Sequence, residues 1–251
     1  SKYVVGVICG GNSEEHDVSI KSSKNVAKWL VEANFEVRIF YISRNGKWHS
    51  FTSQLDFLRF KNGLEKKDSL NFFDKETLEN LQSVDVCFPV LHGTHGEDGM
   101  IQGFLKTLGK PFVGCSYSSC ALCMEKIWSK NVVDSHGILL SKYQALQKLQ
   151  WQEKEKSLTM LTKKLEFPLF VKPANLGSSI GISRTENLQE LEIALDKSFS
   201  YDDWSIIEEE VKGREIEFAV LGNQDYLVFG PGEVLIEEGF YDYEKKFIDP
   251  S

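Results

Sequence analysis

Two apolar runs that end in glycine constrain the fold of this chain more than any other feature of its sequence. They are Val4–Cys9 (VVGVIC) and Val84–Leu91 (VDVCFPVL), and glycine follows each within two residues. Such runs predict buried strands, and the glycines predict tight turns. Apolar residues at helical spacing after the first run and across Met100–Leu108 predict helices. With a further strand predicted at Glu36–Ile42, the alternation indicates an open, largely parallel sheet.

The turns after these strands carry the polar residues of greatest chemical interest. Ligands of parallel sheets bind beyond the carboxyl ends of the strands, where Gly10–Asp17 and His92–Gly99 both lie. Glu15 can receive an ammonium group there, although a carboxylate at a helix start also suits the helix dipole. Three glycines in His92–Gly99 imply a backbone that approaches a ligand closely. They also make a helical metal-binding pair of His92 and His95 unfavourable.

From residue 116 onward, the pattern changes to short strands mixed with helices. The predicted helices are Ser118–Asp134, Glu153–Leu165 and Leu188–Leu195, and the predicted strands are Lys142–Leu146, Phe170–Lys172, Ile180–Arg184, Trp204–Glu209 and Glu215–Leu221. Strands joined by a glycine-rich turn and mixed with helices predict an α+β lobe.

The glycine-rich turn is Val171–Gly181 (VKPANLGSSIG), which lies between two predicted strands. It lacks the glycine-lysine signature of a Walker loop. Its glycines still permit N–H groups to converge on an anion. Ser178 and Ser179 add hydroxyl donors, and Lys172 adds a compact positive charge. The segment therefore predicts a phosphate-binding loop, with an ordinary hairpin tip as the alternative.

Charge and hydropathy exclude several classes of protein. The net charge of −8, without a clustered basic stripe, argues against nucleic-acid binding. No apolar run is long enough to span a bilayer, and the amino terminus has no secretory pattern. The sequence thus predicts a cytoplasmic protein that does not associate with membranes.

The five cysteines predict no disulfide framework, because their number is odd and the chain is large. We interpret them as reduced, buried, small apolar residues. Cys120 and Cys123 form a C-x-x-C pair within a predicted helix. No second pair of suitable spacing accompanies it, so a structural role is favoured over a zinc or redox site.

Two further features have both an ordinary and a functional interpretation. Glu208, Glu209, Glu210 and Glu215 lie at a predicted strand end, where they form either a solvated acidic edge or acceptors for an adenine amino group and ribose hydroxyls. Lys126, on a predicted helix, is by itself typical of a surface lysine.

Taken together, these segments resemble the D-alanine–D-alanine ligase family of the ATP-grasp superfamily. The matching stretches are GGNSEEHDVS at 10–19, LHGTHGEDGMIQG at 91–103, KPFVGCSYSSCALCMEK at 110–126, FPLFVKPANLGSSIGIS at 167–183, EEEVKGREIE at 208–217 and FYDYEKKF at 240–247. The resemblance implies an N-terminal open parallel-sheet (pre-ATP-grasp) α/β lobe at 1–115 that binds substrate. An α+β ATP-grasp central lobe at 116–208 and the start of a C-terminal ATP-grasp lobe at 209–251 follow.

The resemblance also implies a reaction in two steps that serves peptidoglycan and cell-wall synthesis. The carboxylate of one D-alanine attacks the γ-phosphate of ATP, and the amine of a second D-alanine then displaces phosphate from the acyl phosphate. Glu15 would hold the ammonium of the first D-alanine, with His92 near its carboxylate. Ser178 would link Glu15 to a mobile lid at Phe240–Phe247.

The family pattern assigns most of the remaining residues to ATP. Lys126 and Lys172 would bind phosphates, together with Ser178 and Ser179. Glu208 would meet the adenine amino group, the backbone of Val211 would meet the ring, and Glu215 would accept from the ribose. Lys246, on the lid, would reach the γ-phosphate.

Two departures from the family pattern open alternatives. The lid motif usually ends in tyrosine, and Phe247 stands there instead, which favours D-lactate as a possible second substrate alongside D-alanine. The family's ligands for Mg²⁺ or Mn²⁺ lie beyond Ser251, so we assign no metal ligand in this sequence and expect the native chain to continue. A non-catalytic nucleotide-binding fragment is a further alternative, and the family implies a homodimer.

Overall fold

A computed structural model describes residues 3–52 and 74–235 of the chain. The chain divides into two compact units, of which the first comprises residues 1–132 with 175–177. The second comprises residues 133–174 with 178–251. The three-lobe division at residues 115 and 208 stays a prediction. Within the described ranges, no helix has the length and apolar character needed to cross a membrane.

The first unit is built on one four-stranded sheet. Its elements are β1 (Val4–Gly10), α1 (His16–Glu32), β2 (Glu36–Ile42), β3 (Trp48–Phe51), α2 (Lys75–Ser83), β4 (Val86–Pro89), α3 (Met100–Thr107), α4 (Tyr117–Met124) and the first part of α5 (Lys126–Ser135). The strand order is β3-β2-β1-β4. Strand β1 pairs in parallel with β2 and β4, and β3 joins β2 antiparallel. The largely parallel sheet predicted from the alternation of strands and helices is confirmed.

Strand β1 is apolar throughout because both faces of the sheet are covered. Val5 and Val7 pack in one core cluster with Ile20 and Ala27 of α1. Ile8, the residue after Val7, packs in a second cluster on the opposite face. A strand buried on both sides needs a continuous rather than alternating apolar pattern.

The second unit contains an antiparallel sheet and a separate hairpin. Its elements are β5 (Tyr143–Gln147), α6 (Lys148–Trp151), α7 (Lys154–Lys164), β6 (Leu169–Pro173), β7 (Ser183–Thr185), α8 (Leu188–Ser198), β8 (Trp204–Glu209), β9 (Glu215–Gly222) and β10 (Tyr226–Val234). The sheet has the order β5-β8-β6-β7, and β9 pairs with β10. Leucines from α7, α8 and β6 form its core. The predicted α+β arrangement is confirmed.

Three expectations from the sequence are wrong in detail. The single helix predicted at Ser118–Asp134 is two helices, because Glu125 adopts an extended conformation with ψ of 102°. The strand predicted at Ile180–Arg184 begins only at Ser183, since the preceding residues turn through positive φ angles. Cys115 and Cys123 are exposed rather than buried.

Two of the other three cysteines do behave as small core residues. Cys9 and Cys87 are fully buried in the first unit. Burial raises the pKa of the Cys9 thiol to about 12 and that of Cys87 to about 11. Both thiols therefore stay protonated at neutral pH, as expected for side chains that serve packing.

Candidate active site

The turn after β1 begins with two glycines because no other residue fits there. Gly10 and Gly11 have φ angles of +90° and +95°. A Cβ on Gly10 would also lie well inside 3.0 Å of the carbonyl oxygen of Ile42. The N–H of Gly11 donates to that same oxygen at 2.8 Å. The turn is thus held against β2, and the chain leaves it toward the start of α1. We call residues 10–15 loop 1.

The second turn, residues 92–99, lies directly against loop 1, and we call it loop 2. Ser13 Oγ donates to the carbonyl of His92 at 2.9 Å. Glu15 is only 3% exposed, and a Cβ on Gly93 would lie well inside 3.0 Å of its Oε2. The absence of a side chain on Gly93 therefore leaves room for the carboxylate. The structure brings Glu15 and His92 together, although 76 residues lie between them.

His92 offers an unused polar atom at this place. Its Nε2 is buried and has no hydrogen-bond partner among the residues that the structure describes. A cavity of about 640 Å³ adjoins it, lined by both loops and by apolar side chains that include Trp48, Met100 and Phe104. A buried nitrogen without a partner costs free energy unless a ligand or water meets it. His92 is accordingly suited to hydrogen-bond a small polar ligand.

A further contact between the loops was not anticipated from the sequence. His95 Nδ1 lies 2.6 Å from Asn12 Oδ1, and because that oxygen accepts, the imidazole is the donor. His95 has a φ of +65°, which is uncommon for a residue other than glycine. Glu97 also accepts from the N–H of Gly93 at 2.8 Å. The only sequence signal for these contacts was the density of polar residues at the two strand ends.

Lys126 lies beside the first part of the glycine-rich segment. It begins α5, and its Nζ donates to the carbonyl of Leu176 at 2.5 Å. A Cβ on Gly177 would lie 3.7 Å from the Cα of Gly93, in ordinary contact with loop 2. Residues 175–177 therefore bring a predicted phosphate-binding lysine and the glycine-rich segment next to loop 2 within the first unit.

In the second unit, two predicted ATP-binding residues are already paired. Lys172 Nζ lies 2.9 Å from Glu208 Oε2, and the two side chains are 24% and 10% exposed. The pair follows from the register of β6 and β8, in which Phe170 faces Glu208 and Lys172 faces Ile206. A cation and a carboxylate thus share one side of the sheet, where they stabilise each other in partial burial.

The other predicted residues of the second unit lie in turns and on exposed strands. Ser178 and Ser179 have φ angles of +49° and +59°, so two successive serines adopt the left-handed conformation. Such a turn presents backbone N–H groups to one side, as anion-binding turns do. Val211 is 72% exposed, and Glu215, the first residue of β9, is exposed.

The lid prediction lies outside the part of the chain that the structure describes. Phe240–Phe247, with Lys246 and Phe247, falls after residue 235. Within residues 3–52 and 74–235, no group of three or more histidine, cysteine, aspartate or glutamate side chains is placed to hold a metal ion.

Comparison with known proteins gives one consistent result. The family model described as the D-ala D-ala ligase N-terminus matches residues 4–115, and the D-ala D-ala ligase C-terminus matches residues 132–251. A D-alanine–D-alanine ligase of Natranaerobius thermophilus is 38% identical over 99% of this chain and 71% of its own length. D-alanine–D-alanine ligase B of Clostridium tetani is 38% identical over 98% of this chain and 68% of its own length.

Solved structures show the same similarity. The D-alanine–D-alanine ligase of Coxiella burnetii has a TM-score of 0.79 at 31% identity, over 93% of this chain and 71% of that one. The VanG D-Ala:D-Ser ligase of Enterococcus faecalis has a TM-score of 0.81 at 32% identity, over 98% of this chain and 74% of that one.

Proposed function

The chain belongs to the D-alanine–D-alanine ligase family, and we propose that it joins two molecules of D-alanine at the expense of ATP for peptidoglycan synthesis. Its fold is the ATP-grasp fold of that family. One observation carries the proposal for this chain's own residues. The buried Glu15 carboxylate of loop 1 packs against Gly93 of loop 2, and the neighbouring His92 has a buried Nε2 without a hydrogen-bond partner among the described residues.

The two side chains complement the two ends of an amino acid. Glu15 is an acceptor that suits the ammonium group of the first D-alanine, and it stays buried against Gly93. His92 Nε2 can donate a hydrogen bond to the carboxylate at the other end. Fixing both ends holds a carboxylate oxygen in position to attack the γ-phosphorus of ATP, with ADP as the leaving group. The amine of the second D-alanine then attacks the acyl carbon, and phosphate leaves.

The phosphates of ATP need positive charge and directed donors. Lys126 supports the proposal through its place beside Leu176, and Lys172 through its place on β6. The left-handed Ser178 and Ser179 support a role for their N–H groups and hydroxyls. Lys246 belongs to the same proposed set.

Adenosine is proposed to bind along the edge formed by the end of β8 and the start of β9. Glu208 suits the amino group of adenine, because a carboxylate accepts hydrogen bonds and this one lies near the end of β8. The exposed backbone of Val211 and the carboxylate of Glu215 suit the ring and the ribose.

ATP as a substrate brings a divalent cation, for which Mg²⁺ or Mn²⁺ is the proposal from the family. The described residues do not supply the carboxylate cluster that such an ion requires. No metal ligand is therefore assigned among the described residues. A homodimer and a cytoplasmic location are likewise proposals that rest on the family.

D-lactate as the second substrate is the alternative that a specific residue favours. Phe247 lacks the hydroxyl that usually ends the lid motif. Both a D-Ala-D-Ala ligase and a D-Ala:D-Ser ligase are similar to this chain at nearly the same identity. The second substrate is decided by measuring product formation with D-alanine, D-serine and D-lactate. Phe247→Tyr is expected to raise the ratio of dipeptide to depsipeptide, and an unchanged ratio counts against a role for this position.

The function is tested by ADP release in the presence of ATP and D-alanine. Glu15→Gln removes the charge that receives the ammonium group, so kcat/KM should fall by about 100-fold or more. Glu14→Gln is the matched control, because it makes the same change at the exposed neighbouring residue. ADP release that does not depend on D-alanine refutes the proposed function, and equal losses in the two variants refute the assignment of Glu15.

A further inference from the structure

The residue after Glu15 is buried and makes two polar contacts that the proposed reaction does not use. His16 is 2% exposed and begins α1. Its Nδ1 lies 2.5 Å from the carbonyl oxygen of Gly11 in loop 1. Its Nε2 lies 3.3 Å from the hydroxyl of Tyr41 on β2. The two rings meet edge to face, with centroids 5.6 Å apart.

One tautomer of His16 satisfies both contacts. A carbonyl oxygen only accepts, so the Nδ1 that faces Gly11 carries the proton. Nε2 then accepts a hydrogen bond from the hydroxyl of Tyr41. Rotation of the ring would break both bonds in a buried environment, and such a loss is costly. His16 is therefore fixed in one orientation.

His16 binds the carbonyl of Gly11, a glycine of loop 1 whose backbone is intrinsically flexible. Gly11 has a φ of +95° and no side chain to restrain it. Its N–H is already bound by Ile42 at 2.8 Å. The N–H of Gly11 is therefore bound by β2, and its carbonyl is bound by His16 of α1. The direction in which Asn12–Glu15 leave the turn is thereby set.

We propose that His16 is a positioning residue for the first amino-acid substrate. It acts through the carbonyl of Gly11, and so keeps Ser13 against loop 2 and Glu15 beneath Gly93. The inference rests on the proposed function only for the identity of the substrate. The proposal that Nδ1 of His16 orders residues 12–15 depends only on the hydrogen bonds of His16 to Gly11 and Tyr41.

Two substitutions of His16 distinguish a role in positioning loop 1 from a role in packing alone. His16→Asn keeps an N–H donor near the place of Nδ1 and loses the acceptor for Tyr41. His16→Gln keeps an amide group near the place of Nε2, whose oxygen can accept from Tyr41, and loses the bond to Gly11. His136→Gln is the control, because His136 is exposed and lies outside both loops. Each variant is assayed for the KM of the D-alanine that binds first, the KM of ATP and kcat.

His16→Gln is expected to raise the KM for the first D-alanine by about 10-fold, the order that follows from one lost buried hydrogen bond. The KM for ATP should stay within about 2-fold, because the polar contacts of His16 are with Gly11 and Tyr41, neither of which is proposed to bind ATP. His16→Asn should restore the KM for D-alanine to within about 2-fold of the unsubstituted protein. Equal effects of the two substitutions overturn the inference, as does a KM for ATP that rises in parallel.

Hydrogen exchange at the amides of residues 12–15 gives a readout that does not require catalysis. Exchange in His16→Gln should be about 10-fold faster than in His16→Asn, since only the former releases Gly11. If ADP release proves independent of D-alanine, the proposed function fails while this comparison still decides the role of His16. Identical exchange in the two variants overturns that role whether or not the protein is a ligase.

Discussion

The contact between Gly93 and Glu15 offers a sharp test of the site, because a single added methyl group enters it. A Cβ on Gly93 would lie well inside 3.0 Å of Glu15 Oε2 and 3.2 Å from its Cδ, so Gly93→Ala must displace the carboxylate. The substitution also places alanine at a φ of +66°, which costs about 1–2 kcal/mol in the left-handed region.

A second glycine isolates the cost of the backbone conformation. Gly109 has a φ of +68°, and a Cβ built there meets nothing within 4 Å. Gly109→Ala should therefore also lower the free energy of unfolding by about 1–2 kcal/mol, and it should leave loops 1 and 2 unchanged. Any further effect of Gly93→Ala belongs to the displaced carboxylate.

The displaced carboxylate should appear in the kinetics. Moving Glu15 by about 1 Å from the ammonium group is expected to lower kcat/KM for D-alanine by about 100-fold. Urea-induced unfolding and ADP release, measured on both variants, separate the two effects. Equal losses of kcat/KM in the two alanine variants would show that the Glu15 carboxylate beneath Gly93 does not bind the substrate. An unchanged kcat/KM in Gly93→Ala would show the same.

Two further predictions concern the second unit and the cysteines. Lys172→Met leaves the Glu208 carboxylate without its cation, so the KM for ATP should rise by about 10-fold or more while the KM for D-alanine is unchanged. Lys142→Met, at a lysine whose side chain is 67% exposed, is the control. An equal rise of the KM for ATP in the two variants would contradict the assignment of Lys172 to ATP binding. Because burial raises the pKa of Cys9 to about 12 from 9.0, its thiol should resist a thiol-specific reagent at pH 9.0 in the folded protein and react only after unfolding, whereas the exposed Cys115 should react at once. Rapid labelling of Cys9 in the folded protein would show that the core of β1 opens.

The strands that lead into loops 1 and 2 could be predicted from the sequence alone. The apolar run that forms β1 and the glycines that end it are local features, so the strand and its turn could be predicted together. The alternation of predicted strands and helices indicated a largely parallel sheet before any partner strand was known. Glu15 and His92 could be chosen because both follow strand ends and because the family pattern includes them.

The tertiary structure decided how these residues touch. The fit of Glu15 beneath Gly93 and the bond from His16 to Gly11 depend on distances of closest approach, which spacing in the sequence does not encode. The pairing of Lys172 with Glu208 depends on the antiparallel register of β6 and β8, and a shift of one residue would have turned the two side chains to opposite faces.

The helix break at Glu125 and the exposure of Cys115 were missed for a related reason. Helical propensity is a weak guide at any single residue, and packing overrides it. Cysteine is buried on average, but exposure at a given position depends on what covers it. Local chemistry thus determined which residues could form strands, turns and a substrate site, and only the folded chain decided which of them meet, because contacts between distant residues depend on packing and register.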